Sequence, residues 1–162
     1  MCQRKLTDEI KDQIQAFKKG FHILIPEKAL ELMGPGDLEY IIAGEQEYNL
    51  AQWRETMKYR EKITETDELV QWFWEILETF TNEELGQYLY FVTGSSRVPF
   101  GGFTKSNLLE LQVLDSEDTT SFPIGHTCSN LLEIPRYKDK ETMREKLLIA
   151  MTQGTEGFYI SQ

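Results

Sequence analysis

Apolar residues along the early part of the chain recur at helical spacing. Starting from Leu6, the residues Ile10, Ile14, Phe17 and Phe21 follow at intervals of four, four, three and four, which lays one stripe along an amphipathic helix ending near Gly20. Pro26 opens a second, short helix through Ala29, Leu30 and Met33, stopped by Gly34-Pro35-Gly36. Asp37 then caps a third through Leu38, Ile41 and Ile42 up to Gly44. Residues 1–44 hold more apolar stripes than partners to cover them, as the tail of a larger helical domain would.

Gly44-Glu45-Gln46-Glu47 interrupts the periodicity with polar residues and is the candidate linker between two lobes. Beyond it, Asn49 to Lys58 reads as a short helix with Leu50, Trp53 and Met57 on one face. Thr66 or Asp67 starts a stronger one, with Val70, Phe73, Trp74 and Leu77 at i, i+3, i+4 and i+7. Consecutive helical residues splay widely, so part of the Trp72-Phe73-Trp74 cluster belongs to the core rather than to an aromatic recognition surface. Thr81-Asn-Glu-Glu84 is a capping box opening a helix through Leu85, Tyr88, Leu89 and Val92, which Gly94 ends. Residues 97–103 are irregular. Leu109, Leu111 and Val113 alternate with Glu110, Gln112 and Leu114 as a half-buried strand, and residues 115–121 form an acidic, Ser/Thr-rich loop. Leu131, Leu132 and Ile134 make a buried strand that stops at Pro135. Asp139 caps a final helix with Met143, Leu147, Ala150 and Met151 on its apolar face, and Gly154 and Gly157 precede a short tail. Helices first and strands later, without regular alternation, predict an α+β fold.

Composition narrows the functions available. The 162 residues carry 27 acidic against 17 basic side chains, a formal net charge of -10, which opposes nucleic-acid binding and favours a protein partner with a basic face. Cys2 and Cys128 do not make a disulfide framework, and the charged residues near Met1 leave no secretory apolar run. A reducing, intracellular setting is expected. The longest apolar runs are far shorter than a membrane helix needs. His22 and His126 with the two cysteines match no four-ligand zinc spacing, and no glycine-rich phosphate loop is present. Neither a metal nor a cofactor is expected.

One stretch carries candidate chemistry. Phe122-Pro-Ile-Gly-His-Thr-Cys-Ser-Asn-Leu-Leu-Glu-Ile-Pro135 places Cys128 between two prolines at the mouth of a short apolar strand. A thiol on a loop held by a rigid element can be reached by a reactant, the alternative being a small hydrophobe buried in a purely structural module. If residues 126–128 are extended, His126 and Cys128 point the same way. The imidazole then either orders the loop by hydrogen bonding or serves as a general base. A Cys-His protease would also need an oxyanion site and an orienting residue, which no motif supplies.

Several segments together resemble the HECT family of ubiquitin ligases. They are Gln71-Trp-Phe-Trp74, Phe91-Val-Thr-Gly-Ser-Ser-Arg-Val-Pro-Phe-Gly-Gly-Phe103, His126-Thr-Cys128 with Asn130-Leu-Leu-Glu-Ile-Pro135, and Glu156-Gly-Phe158. They stand in the family's order and near its spacing, and the similarity extends back through Phe17-Lys-Lys-Gly-Phe21 and residues 38–44. The resemblance implies a C-terminal catalytic lobe over residues 45–162, several helices packed on a small β-sheet. Residues 1–44 would be the helical end of the N-terminal lobe, with the family's hinge at about 44–47.

It also implies that Cys128 accepts the C-terminal carboxyl of ubiquitin as a thioester from a ubiquitin-conjugating enzyme, then passes it to a lysine of a protein substrate. An ordinary thiol of pKa ~8.5 is partly ionised at neutral pH, which suffices for thioester exchange. Thr127 and His126 would position the loop, and Arg97 and Phe158 fall on the family's supporting segments. Two departures stand out: Ser129 replaces the usual phenylalanine, and Tyr159 to Gln162 follow Phe158 with no acidic residue at the end. The family's N-terminal lobe docks the conjugating enzyme, and residues 1–44 are too short to supply it. The alternative reading is therefore a truncated, non-catalytic ubiquitin-binding or adaptor module. The cytoplasm or nucleus is the expected location.

Overall fold

The computed structural model describes residues 10–61, 63–115 and 120–157, with no side-chain description for 154–157. The chain divides into two units, Met1–Ile42 and Ala43–Gln162.

In the first unit, α1 spans Lys11–Leu24. It runs through Gly20, the expected stop, and ends instead at Ile25, which adopts an extended conformation before Pro26. Gly20 lacks the left-handed backbone that ends a helix, and an interior glycine costs only about 1 kcal/mol. Proline, by contrast, forces the residue before it out of helical space. Leu6, the expected start of the stripe, lies outside the described residues. The short α2 covers Glu27–Leu30, and α3 covers Pro35–Ala43. Pro35 and Gly36 were expected to separate these helices, yet they form the first turn of α3. The Asp37 carboxylate accepts the Gly34 amide at 2.8 Å, satisfying a donor at the helix start, and proline there loses no hydrogen bond. None of the three helices buries a side chain: Phe17 is 70%, Leu24 84% and Ile42 62% exposed.

The second unit opens with Gly44 at φ +76°. The segment expected to be a linker is pinned here: Glu45 and Val98 exchange backbone hydrogen bonds of 3.0 and 2.8 Å, and Arg97 Nη1 donates to the Gly44 carbonyl at 3.1 Å. Asn49 caps α4, Leu50–Thr56, by accepting the Gln52 amide, and Trp53 is buried beneath it. The helix stops two residues short of the expected Lys58 because Met57 turns extended and Lys58–Tyr59 pairs as strand β1. Asp67 caps α5, Glu68–Glu78, whose Val70, Phe73, Trp74 and Leu77 are all buried; Trp72 lies half-buried on its flank. Helix α6, Asn82–Thr93, begins with the capping box of Thr81 and Glu84 and ends on Gly94 at φ +79°. Asp139 accepts the Thr142 amide at 2.7 Å to start α7, Lys140–Gly157. That helix takes in both Gly154 and Gly157.

Strands β2 (Glu110–Leu114), β3 (Ile124–His126) and β4 (Leu131–Pro135) complete a four-stranded sheet ordered β1-β2-β4-β3. β2 lies parallel to both β1 and β4, and β3 is antiparallel to β4. The central β4 buries Leu131, Leu132, Ile134 and Pro135 and leaves only Glu133 partly open. Lys58 and Arg60 both bond the Glu110 carboxylate. Burial opposes its ionisation, but the two cationic hydrogen bonds prevail and hold its carboxyl below the ordinary range. Helices on a small mixed sheet are the expected α+β class.

Aromatic side chains fill the core. Trp53 lies about 6 Å, ring to ring, from Tyr48, Tyr88 and Phe103. Tyr88 is wholly buried with no hydrogen-bond partner for its hydroxyl, and burial pushes its phenol far above the usual range.

Candidate functional site: the β3–β4 turn

The hairpin that carries Cys128 is held from three sides. Along β3, Gly125 lies so close to α6 that a Cβ there would come 2.3 Å from the Phe91 carbonyl oxygen, so only glycine lets the strand lie against the last turn of that helix. One residue past the strand, Thr127 sits beside Gly94, at ordinary van der Waals range from a side chain built there. Before the strand, Pro123 is buried, and Lys146 of α7 places its ammonium 4.1 Å from the centre of the Phe122 ring.

Residues 127–130 form a tight turn rather than extended chain. The Ser129 amide donates to the His126 carbonyl at 3.1 Å, and Asn130 takes φ +52°, a conformation that asparagine tolerates better than most residues. Asn130 is anchored twice: its side-chain nitrogen donates to the Asn107 carbonyl at 3.3 Å, and its own carbonyl accepts the Glu110 amide at 2.9 Å. Cys128 is a free, exposed thiol at the outer bend. Ser129 is exposed as well, so the small polar residue there leaves no cavity.

The bend breaks the alternation that would have aligned His126 with Cys128. The imidazole is engaged elsewhere: its Nε2 lies 3.1 Å from Glu133 Oε2. His126, Thr127 and Cys128 are therefore gathered in one turn and its flank. Arg97 is not part of that turn and instead holds the Gly44 carbonyl, a contact that fixes the start of the second unit. Phe158 lies outside the described residues.

Two residues of this arrangement escape a reading by pattern. Asn130 is visible only as a turn-forming residue type between two apolar runs. Glu133 is visible only as the one charge inside the strand Leu131-Leu132-Glu133-Ile134. A cavity of about 540 Å³ along α6, lined by Tyr48, Gly86, Gln87, Tyr90 and Ser96 among others, contains none of the expected site residues. Among the described residues, no group of three or more histidines, cysteines and carboxylates stands together to hold a metal ion, and no helix is long and apolar enough to cross a membrane. The turn thus offers an exposed thiol on a backbone tied to a helix end and to the sheet. Acyl transfer through a covalent thioester needs that much from the protein.

A family model described as HECT-domain (ubiquitin-transferase) matches residues 1–161. The E3 ubiquitin-protein ligase HACE1 of Homo sapiens is 36% identical over 163 residues, which cover 98% of this chain and 18% of the human protein. HACE1 of Danio rerio matches to the same extent. An E3 ubiquitin-protein ligase TOM1-like of Neurospora crassa is 34% identical over 98% of this chain, but over only 4% of its own length. The chain spans less than a fifth of the curated relatives it matches.

Proposed function

The chain belongs to the HECT-domain (ubiquitin-transferase) family, and from that membership we propose that it transfers ubiquitin to protein through a thioester on Cys128. The observation that carries this reading is an exposed thiol on the β3–β4 turn, within a chain that matches the family along nearly its whole length. In the first step Cys128 Sγ attacks the thioester carbonyl on a ubiquitin-conjugating enzyme. A new C–S bond forms, the old one breaks, and its electron pair leaves on the donor sulfur. In the second step the amine of a substrate lysine attacks the new thioester. A C–N bond replaces the C–S bond, the nitrogen sheds one proton to solvent, and Cys128 leaves as thiolate.

In this reading residues 45–162 are the C-terminal lobe and residues 1–44 the end of the N-terminal lobe. Thr127 steadies the turn against Gly94, while Arg97 fixes the entry to the lobe. Ubiquitin, a conjugating enzyme and a protein substrate are the partners, and the cytoplasm or nucleus is the location.

The test supplies ubiquitin in two forms: on a conjugating enzyme charged by an activating enzyme, and as a small-thiol thioester of the ubiquitin C terminus. The second form needs no docking lobe. The expected product is a reductant-sensitive adduct, converted by Cys128→Ser into a reductant-resistant ester. A folded chain that forms no adduct with either donor would overturn the catalytic reading and leave non-covalent ubiquitin binding in its place.

A further inference from the structure

We propose that Glu133 is a positioning residue for thioester chemistry at Cys128, acting through His126; this rests on the reading of Cys128 as the ubiquitin acceptor. The sheet register brings the two side chains together. Ile124 stands opposite Glu133, and His126 opposite Leu131. Glu133 and His126 are therefore diagonal neighbours across an antiparallel pair, within reach for long side chains. Their atoms meet at 3.1 Å.

Glu133 is an unusual residue for its place. Every other residue of β4 is buried, and the Glu133 side chain is itself only 21% exposed. A carboxylate in a central strand is costly without a partner, and His126 provides one. The carboxylate has no proton to give, so Nε2 of the imidazole carries the hydrogen, and a neutral ring keeps its lone pair on Nδ1. Glu133 thereby selects both the tautomer and the orientation of a ring two residues from the nucleophile. The main chain of the same residue closes the turn, since the His126 carbonyl accepts the Ser129 amide. His126 is held at its side chain by Glu133 and at its backbone by Ser129, and Cys128 lies inside that loop.

The clamp requires an acceptor at position 133, not a charge. The experiment uses the full chain, with ubiquitin bearing a small-thiol thioester as donor and free lysine as acceptor. It records the single-turnover rates of adduct formation and discharge beside the thermal midpoint. Glu133→Leu, which keeps the bulk and removes the acceptor, is expected to slow the Cys128 steps about ten-fold. Glu133→Gln, whose amide oxygen can still accept from Nε2, stays within about two-fold of the unaltered chain. His126→Ala is as slow as Glu133→Leu, and the double variant is no slower than either, because the two residues act as one unit.

Three outcomes overturn the inference: Glu133→Leu at the unaltered rate, Glu133→Gln as slow as Glu133→Leu, or effects that multiply in the double variant. Should Glu133→Leu fail to fold, Glu133→Val, a strand-favouring residue that likewise offers no acceptor, takes its place in the same cycle with His126→Ala. A chain that never forms the Cys128 adduct overturns the reading beneath and this inference with it. A chain that forms it while ignoring changes at Glu133 overturns the inference alone.

Discussion

The helices α1 and α5 carry the same kind of apolar stripe and have opposite fates. In α5 the residues Val70, Phe73, Trp74 and Leu77 are at most 1% exposed, covered by the other elements of a unit that includes a sheet. In α1 the residues Ile14, Phe17 and Phe21 stand at the same spacing, and none is buried. Periodicity reports that a helix has a face to hide, but it does not supply what hides it. The first unit keeps its helices through local devices instead, among them Pro26 and Pro35 at helix starts and the Asp37 carboxylate on the Gly34 amide.

That contrast can be broken most sharply by truncating one aromatic on each side of it. Trp53, Trp72 and Trp74 all lie in the second unit, so denaturant unfolding followed by tryptophan fluorescence reports that unit. Phe73→Ala should lower its stability by about 3–5 kcal/mol, by loss of transfer energy and creation of a cavity. Phe17→Ala should change it by less than about 0.5 kcal/mol. A large loss from Phe17→Ala would mean that the stripe on α1 is covered in solution.

The next largest effect belongs to Gly125→Ala. The added carbon would strike the Phe91 carbonyl oxygen at 2.3 Å, and moving β3 off α6 should cost about 1–3 kcal/mol. Gly20→Ala provides the counterpart in the first unit. A Cβ there meets nothing within 4 Å, so the change should stabilise α1 by up to about 1 kcal/mol, read as increased helicity by circular dichroism.

Acid acts more gently, through Glu110. Its carboxyl is held below the ordinary 4.5, so the folded state binds that proton less readily than the unfolded chain. The stabilisation is complete above the ordinary value and is lost as pH falls through the lower, folded value. Glu110→Gln should flatten the fall in stability of the second unit below pH 4.5, measured by chemical denaturation across that range. A small change is also expected from Tyr88→Phe. Removing a buried hydroxyl that lacks a partner should be neutral or stabilising by about 1 kcal/mol, and a loss would reveal a hydrogen bond formed in solution.

Much of this was legible in the sequence because the signals were local. The Thr81 capping box, the Asp67 and Asp139 caps, the alternation of β2 and the left-handed Gly94 each depend on a few adjacent residues, and each is observed. What escaped depends on distant partners. β1 and β3 have two and three residues, too few for alternation to register, and exist because β2 and β4 receive them. The Gly44–Glu45 segment reads as a polar linker until its hydrogen bonds to residues 97–98 are seen. Gly20 reads as a stop, but a glycine ends a helix only where the backbone turns left-handed. At the candidate site, an exposed loop position for Cys128 was legible from the flanking prolines and the apolar strand. The bend that separates His126 from Cys128, and the carboxylate that engages the imidazole, were not, because both arise from strand register.

The long-range pairing of the sheet has a consequence for the order in which the protein is made. Lys58 and Glu110 pair across fifty-two positions, and β4, in the middle of the sheet, comes from residues 131–135. A ribosome that has released α4, α5 and α6 has delivered helices but no sheet, since every lasting strand pair waits for β2 and then for β4. Pairings of such long separation form late. The bend bearing Cys128 lies between β3 and β4 and leans on the end of a helix formed earlier, so it is completed only once β4 has been made. A nascent chain therefore carries the Cys128 sulfur unpresented until the strands of the second unit are there to hold it.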